Sequence, residues 1–234
     1  NFDCKIKMIS PNVCYIYIPY TFDGVVFNEN QVKDVLALDP GIRTFLTGYS
    51  PNGHIVEIGK NSIQKIIRLC LLIDKMQSIM AIKGVNKIKC KKRLRILKKI
   101  NIIRLRIRNL KNDLHNKVAN FLCKNYSVIL IPKTDLSNMV RKGKRVINSK
   151  SVRALMGLNH YEFRQKLLTK SRDYDSLILE CNEAYTTKTC TNCGCLNETI
   201  KGKKIFKCPS CKLIIDRDIN GSRNILLRNL NRGN

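Results

Sequence analysis

Two Cys-x-x-Cys pairs constrain the possible structure of this chain more than any other feature. They are Cys190/Cys193 and Cys208/Cys211, with fourteen residues between them. Each pair offers two thiolates from one tight turn, and a short hairpin between the pairs can bring both turns to one tetrahedral zinc ion. The spacing therefore predicts a Cys4 zinc ribbon, which we place at residues 184–215. Two disulfides are the weaker alternative, because no secretory signal precedes the pairs.

A fifth thiol lies close to these pairs. Cys195 comes one residue after the turn glycine Gly194, and we interpret it as a bystander, with ligand exchange with Cys193 as the alternative. The chain has eleven cysteines in all. Without a signal peptide, this number favours a reducing compartment in which the remaining thiols are small core residues. We therefore expect an intracellular protein, nuclear in a eukaryotic or viral host and cytoplasmic otherwise.

The charge balance indicates a polyanionic partner. Lys and Arg number 44 against 17 Asp and Glu, which gives a formal charge of +27 over 234 residues. Such a chain repels itself unless a polyanion neutralises the excess, so nucleic acid is the expected partner. No apolar run reaches the roughly 20 residues that span a bilayer, and Arg68 interrupts the most apolar stretch. We therefore expect no membrane segment.

The first third of the chain is predicted to be strands. Residues 12–20 alternate aromatic and aliphatic side chains, which predicts a strand. Because the chain begins with Asn rather than Met, we expect residues 1–30 to be the end of a preceding domain. An antiparallel meander is predicted next. Its first strand ends at Asp39, its second runs through residues 44–48, and its third runs through residues 54–58. An Asp-Pro-Gly turn and a Pro-Asn-Gly turn connect them.

Residues 61–124 are predicted to form a helical hairpin that bends at residues 84–86. Between Asp74 and Asp113 there is no acidic residue, while Lys and Arg cover one side. We interpret that side as a phosphate-contacting face; a solvated helix face is the alternative. The apolar stripe of the second helix consists of Ile96, Ile100, Ile103, Ile107, Leu110, Leu114, Val118 and Phe121.

The second half of the chain alternates strands and helices. A strand is predicted at 128–131, a helix at 151–171, a strand leading to Glu183, and a final helix from about Ile219. This element order is of the α+β class and is the order that an RNase H-like fold would produce.

Three acids lie at the ends of predicted elements: Asp39, Glu183 and Asp218. If they converge, they offer the hard oxygen ligands that Mg²⁺ or Mn²⁺ uses beside substrate phosphates. Two such ions can catalyse phosphodiester hydrolysis. An acid at a strand end is also a common turn former, and Asp218 is a suitable helix N-cap.

Five motifs carry a family resemblance that runs from about Val35 to Leu230. They are the Asp-Pro-Gly after the apolar strand, IPKTDLSNM, EAYTTKTC, CPSC and DRDINGSRNIL. Together they resemble the C-terminal half of TnpB-type nucleases, and more closely the Fanzor proteins, both related to compact type V CRISPR effectors. The resemblance implies a RuvC-like nuclease of RNase H fold with an inserted zinc ribbon. It also implies a guide RNA and target DNA as partners, and an N-terminal wedge-like domain that ends within residues 1–30.

The resemblance assigns catalytic positions one by one. The first and third RuvC aspartates fall on Asp39 and Asp218. The usual second position carries Lys133, which cannot bind a cation, but Fanzor-like members place a glutamate just before the ribbon, and this is Glu183. Two other acids remain in reserve: Glu180 and Asp135. The implied domains are a nuclease part at 31–183, the ribbon, and a final RuvC segment at 216–234.

Basic and aromatic residues supply candidate nucleic-acid contacts. The candidate cations are Lys133, Arg217, Arg223, Lys203, Lys204, Lys92 and Arg93, and the ribbon hairpin adds Lys201 and Lys207. The candidate aromatics are Tyr161, Tyr185 and Phe206, which either stack on bases or pack locally. We assign none of the histidines His54, His115 and His160 to zinc.

Three functions fit these features. The first is a metal-dependent, RNA-guided DNA endonuclease. The second is a zinc-containing DNA- or RNA-binding protein whose catalytic site has decayed, for which Lys133 is the main support. The third is a conventional transposase, which requires the same acids and more end-recognition machinery than this chain provides.

Overall fold

The computed structural model describes residues 3–10, 13–19, 21, 34–82, 89–133, 148–200 and 202–230. Several predicted features lie outside these residues: the bend at 84–86, Asp135, Lys201 and the end of the N-terminal segment at 22–30. The first described unit is a hairpin of β1 (Lys5–Ser10) and β2 (Val13–Tyr17). The two strands pair antiparallel, with Ile6 opposite Ile16. The strand predicted in residues 12–20 is therefore confirmed at its centre.

The main sheet has five strands in the order β5-β4-β3-β6-β7. They are β3 (Asp34–Pro40), β4 (Leu46–Tyr49), β5 (Ile55–Ile58), β6 (Tyr126–Pro132) and β7 (Leu177–Cys181). The predicted meander is confirmed, because β3, β4 and β5 pair antiparallel. Beyond it, β3 pairs parallel with β6, and β6 parallel with β7. The fold is therefore a mixed α/β arrangement with β3 at its centre.

Helices make the crossovers that parallel strands require. The chain passes from β5 to β6 through α1 (Ser62–Met80) and α2 (Cys90–Asn125), and from β6 to β7 through α3 (Ser149–Leu158) and α4 (His160–Tyr174). The last helix is α5 (Arg217–Leu230). Among the described residues, no helix is both long enough and apolar enough to cross a membrane.

The apolar stripe predicted on α2 is correct except at its C-terminal end. Ile100 and Val118 are buried, and the residues between them on the stripe are half-buried. Phe121, however, is 43% exposed, and Leu122 is fully buried instead. Near the sheet, the core-facing position is four residues after Val118 rather than three, so the buried face shifts around the helix.

The helix predicted at 151–171 is two helices. Asn159 separates them with a left-handed backbone (φ 50°) that asparagine tolerates better than most residues. Its side-chain oxygen accepts a hydrogen bond from the backbone N–H of Glu162, which caps the start of α4. The break lets the second segment change direction and pack against α2.

The sheet is covered on both faces, and the side-chain alternation of β3 shows how. Leu36 and Leu38 enter the large core that contains residues of α1, α2, α3 and α4. Ala37 points the other way, into a smaller core with Ile225 and Leu226 of α5. This second face positions the acidic residues described below.

The segment at 189–216 forms a small unit with its own core. β8 (Ile205–Lys207) pairs antiparallel with β9 (Ile214–Asp216), and a single bridge joins Thr189 to Leu196. Phe206 and Ile200 are buried here together with Cys190 and Cys208.

Candidate catalytic and metal sites

Asp39 lies on the α5 face of the sheet. It follows Ala37 by two residues on β3, so strand alternation points both side chains toward α5. The central position of the strand leaves Asp39 only 9% exposed. A carboxylate is thus held in the interior at the C-terminal end of a buried strand.

The same edge of the sheet receives the ends of β6 and β7. Pro132 pairs with Cys181, and the backbone N–H of Lys133 donates to the carbonyl of Cys181. Glu183 follows two residues later and is half-buried. The C-terminal ends of three parallel strands therefore bring Asp39, the exposed Lys133 and Glu183 to one edge.

The reserve acid Glu180 faces the opposite side of the sheet. Its carboxylate forms an ion pair with Arg164 of α4 at 2.9 Å. Arg164 is buried, so this pair ties β7 to α4. As the strand alternation predicts, Glu180 does not point toward Asp39.

The third acid, Asp218, lies in the first turn of α5. Asp216, not Asp218, caps this helix: its Oδ1 accepts from the backbone N–H of Asp218 at 2.8 Å. The predicted capping role of Asp218 is therefore wrong. The Asp218 carboxylate is 16% exposed and pairs with Arg217 at 2.9 Å. Because Asp216 caps the helix, the Asp218 carboxylate is not used for capping.

The three acids interact electrostatically. Burial raises the pKa of Asp39 well above its ordinary value, and the negative charges of Asp218 and then Glu183 raise it further. The positive charge of Arg217 opposes this shift of the Asp39 pKa. Facing carboxylates of this kind are the donor set that a divalent cation stabilises, so the residues present fit Mg²⁺ or Mn²⁺.

Gly221 permits the close contact between α5 and β3. A Cβ atom at this position would lie 2.5 Å from Oδ2 of Asp39, closer than any packed contact allows. Gly41, in the turn after Asp39, lies near Asp218: a Cβ there would lie 4.0 Å from Oδ2 of Asp218. The missing side chain of Gly221 lets the helix backbone lie directly against the Asp39 carboxylate.

Two asparagines on α5 hold the loop that leads from β7 to the cysteines. Nδ2 of Asn220 and Nδ2 of Asn224 each donate to the carbonyl of Thr189 at 2.7 Å. Asn224 also donates to the carbonyl of Thr186 at 2.8 Å, and Oδ1 of Asn220 accepts from the N–H of Thr191 at 3.2 Å. One helix thus fixes both the acidic edge and the start of the cysteine unit.

The four predicted cysteines form one cluster, in which their sulfur atoms all lie within 4.8 Å of one another. Sγ of Cys190 lies 3.6 Å from Sγ of Cys211, and Sγ of Cys193 lies 3.5 Å from Sγ of Cys208. Zinc–thiolate bonds of about 2.3 Å in a tetrahedron place sulfurs roughly 3.8 Å apart. The cluster can therefore hold a metal ion, and its geometry fits zinc.

The candidate cations are spread over several surfaces. Lys203 and Lys204 line a cavity of about 500 Å³ on the cysteine unit, and Lys92 and Arg93 are exposed at the start of α2. The guanidinium of Arg223 lies over the Tyr49 ring at 5.8 Å, and Arg217 pairs with Asp218.

The three candidate aromatics differ in exposure. Phe206 is fully buried in the core of the cysteine unit, so of its two interpretations local packing is confirmed and base stacking is excluded. Tyr161 and Tyr185 are 62% and 63% exposed. Two histidines are core residues: the rings of His115 and His160 stack on Phe45 at 5.5 Å and 5.0 Å.

The sequence interpretation missed Gly221, and it assigned no role to Asn220 and Asn224. A usable signal exists for the asparagines. They are four residues apart on a helix, where asparagine is unfavourable unless its side chain bonds elsewhere. No comparable local signal identifies Gly221, because its contact is with a residue 182 positions away along the chain.

Comparison with known proteins now defines the class of protein. Residues 160–225 match the family described as Cas12f1-like, TNB domain. The fold resembles that in a cryo-EM structure of a CRISPR-Cas12f ternary complex, with a TM-score of 0.60 at 20% identity, over 91% of this chain and 41% of that one. The fold and these residues are therefore of the Cas12f type.

Two relatives extend the match along the sequence. TnpB-like protein L79 of Acanthamoeba polyphaga mimivirus is 34% identical over 209 residues, which are 86% of this chain and 38% of that protein. The CRISPR-associated endodeoxyribonuclease Cas12f1 of Sulfoacidibacillus thermotolerans is 25% identical over 127 residues, 51% of this chain and 30% of that protein. These matches confirm the resemblance to the TnpB-like/Cas12f-type family, and the chain spans less than half the length of these relatives.

Proposed function

We propose that this chain is the nuclease part of an RNA-guided DNA endonuclease that hydrolyses phosphodiester bonds. The proposal is supported by the position of Asp39, which lies against Gly221 of α5, the helix that carries Asp218, and at the sheet edge where β7 leads to Glu183. Burial raises the pKa of Asp39, and the charges of Asp218 and Glu183 raise it further. Burial of one carboxylate and repulsion among the three cost free energy, and binding of divalent cations would offset that cost.

In this proposal the three carboxylates hold two Mg²⁺ or Mn²⁺ ions. Such ions supply Lewis acidity, lowering the pKa of a water molecule and neutralising the leaving oxygen. The protein contributes orientation. β3 fixes Asp39, the asparagine-held loop follows Glu183, and the α5 cap formed by Asp216 fixes Asp218.

The sheet order supports an RNase H-like, RuvC-type fold. Three antiparallel strands are followed by two parallel ones, with the candidate acid Asp39 on the central strand. The cysteine unit is proposed to be a zinc ribbon. It is too small to stabilise itself with an apolar core alone, so zinc supplies folding free energy. Guide RNA and target DNA are the proposed partners.

A cleavage assay tests this function. The full-length protein with its own RNA is incubated with target DNA in Mg²⁺, with and without EDTA, beside an Asp39→Asn variant. The proposal predicts cleavage that requires Mg²⁺ and is abolished in Asp39→Asn. Equal cleavage by Asp39→Asn and the unmodified protein would reject the carboxylate site.

A catalytically inactive nucleic-acid-binding protein is the second candidate, and Lys133 favours it. This lysine occupies the strand end at which the family resemblance places a glutamate. The same assay separates the two candidates, because binding without cleavage would persist when Mg²⁺ is chelated.

A further inference from the structure

Tyr185 has an unfavourable backbone conformation for its size. Its φ is 65°, in the left-handed region, where a bulky side chain is a genuine outlier. Such conformations persist only where surrounding contacts determine them, and they cluster at functional sites. The ring nevertheless is 63% exposed, so burial of the ring does not offset the strain.

The strain is maintained by a dense set of hydrogen bonds. The carbonyl of Tyr185 accepts from the N–H groups of Lys188 and Thr189, at 3.0 Å each, and from the Thr189 hydroxyl at 2.9 Å. Arg228 of α5 donates to the carbonyl of Ala184 at 2.6 Å. The loop is therefore firmly held while the ring it carries projects into solvent.

The sequence places Tyr185 close to one acid of the proposed nuclease site. Tyr185 is two residues beyond Glu183. The ammonium of Lys188 lies 5.9 Å from the ring centroid. A flat aromatic surface beside a cation matches a nucleotide, whose base can stack while its phosphate is neutralised.

A second exposed tyrosine lies near the ends of β3 and β6 but differs in its neighbouring cation. Tyr161 is 62% exposed, and the Arg164 guanidinium lies 5.5 Å from its ring centroid. Tyr161 lines a small depression together with Pro40, the residue that follows Asp39, and Pro132 at the end of β6. Arg164, however, is buried and pairs with Glu180 on the face of the sheet away from Asp39, so Tyr161 lacks the solvent-facing cation that Lys188 provides beside Tyr185.

We propose that Tyr185 is a positioning residue that stacks on an unpaired base of the strand to be cut. The ligand class is single-stranded nucleic acid, because a duplex keeps its bases stacked on one another. This inference rests on the proposed nuclease function for the location of the cut, but stacking itself is measurable without cleavage.

The test uses a short DNA single strand that contains 5-iodouracil, with Ca²⁺ in place of Mg²⁺. Long-wavelength irradiation links iodouracil to an aromatic ring stacked on it, and mass spectrometry locates the adduct. We expect an adduct at Tyr185. We also expect Tyr185→Leu to weaken binding by roughly 5- to 150-fold, the range for removal of one stacked base.

Matched variants separate the ring from the backbone. Tyr185→Phe keeps the ring and should retain affinity, whereas Tyr185→Gly suits the left-handed backbone and should bind as weakly as Tyr185→Leu. Tyr17→Leu, at a 52% exposed tyrosine of the N-terminal hairpin, should not change affinity. Unchanged affinity in both Tyr185→Leu and Tyr185→Gly, with no adduct at Tyr185, would overturn the proposal.

Cleavage of the same strand in Mg²⁺ is scored separately. An adduct at Tyr185 without any Mg²⁺-dependent cleavage would support stacking and reject the nuclease function. Mg²⁺-dependent cleavage without an adduct, and with unchanged affinity of the Tyr185 variants, would support the nuclease function and reject stacking by Tyr185.

Discussion

The Asp39 carboxylate is buried and lies close to two other acids, which makes it costly to the metal-free protein. Because its pKa is raised in the folded state, its contribution to stability is fully present only below the pKa of the unfolded chain. That contribution is lost as the pH rises through the folded-state pKa. The charged form of Asp39 therefore destabilises the metal-free fold, and binding of a cation would offset that effect.

The contact between Gly221 and Asp39 gives the first residue-scale prediction. Gly221→Val places a branched side chain where even a Cβ would be 2.5 Å from Oδ2 of Asp39. We expect the carboxylate to move and Mg²⁺-dependent cleavage to fall by roughly 10- to 100-fold, the scale for misplacement by about 1 Å.

Gly202→Val is the matched control for this substitution, since a Cβ at Gly202 meets no atom within 4 Å. Cleavage rates are compared after circular dichroism has shown that both variants are folded. A rate for Gly221→Val equal to that of Gly202→Val would show that the close contact does not position Asp39.

The buried histidines give a pH prediction. Burial lowers the pKa of His115 and of His160 to about 4, from an ordinary value of 6.5. The unfolded chain therefore binds more protons between about pH 6.5 and 4, and stability falls as the pH is lowered through this window.

Each histidine contributes at most about 1.4 kcal/mol per pH unit to this slope. We expect His160→Gln to lower the slope of the free energy of unfolding against pH, measured by urea denaturation. The decrease should correspond to the uptake of about one proton fewer on unfolding. An unchanged slope in His160→Gln would mean that the folded protein accommodates a charged imidazole at position 160.

At the scale of elements, the cysteine unit and the sheet have separate cores joined by α5. Phe206 and Ile200 pack with the cysteines, whereas Ile225 and Leu226 pack on the sheet. The asparagine contacts of α5 connect the two. Removal of the metal should therefore unfold 189–216 while the five-stranded sheet persists.

Zinc content tests this expectation. Purified protein should contain one zinc per chain. Cys208→Ser should reduce that content severalfold or more and expose amides of 189–216 to hydrogen exchange, with slow exchange kept in β3 and β6. Cys195→Ser should keep its zinc, because Cys195 lies outside the four-sulfur cluster. A zinc-free Cys195→Ser protein would make Cys195 a ligand instead of a bystander.

Sequence patterns predicted most elements because those elements depend on local periodicity. The buried run of β3 and the spacing of the cysteines were sufficient for the meander and for the sulfur cluster. The break at Asn159 was missed, because the apolar pattern continues through it while its cause is a single left-handed residue. The contact of Gly221 with Asp39 was missed because it joins residues that only the complete fold brings together. The catalytic assignment of the three acids stays a prediction.

Over the whole molecule the formal charge is +27, and α2 holds the densest part of it, with twelve Lys and Arg against one acid. From Cys90 to Asn112 the helix carries no acid. A surface of this kind attracts phosphates. Its contribution to the affinity for nucleic acid should therefore decrease as the salt concentration rises.

Replacing Lys92 and Arg93 together by Ala should weaken nucleic-acid binding. It should also lower the slope of log affinity against log salt by about 2, or about 1 for each phosphate that the protein no longer neutralises. Lys117→Ala is the control, because this lysine is paired with Asp113 at 2.9 Å. Binding is measured by fluorescence anisotropy across a salt series. A slope that is the same in both variants would place the phosphate-contacting surface elsewhere.

Direct binding of Mn²⁺ tests the central claim, that Asp39, Glu183 and Asp218 form a single cation site. Electron paramagnetic resonance counts the free Mn²⁺ in titrations of zinc-loaded protein. We expect up to two ions per chain, with binding weakened at least tenfold by each of Asp39→Asn, Glu183→Gln and Asp218→Asn. Asp113→Asn, at an exposed acid of α2, should bind as the unmodified protein does. Undiminished Mn²⁺ binding in the three site variants would contradict the account.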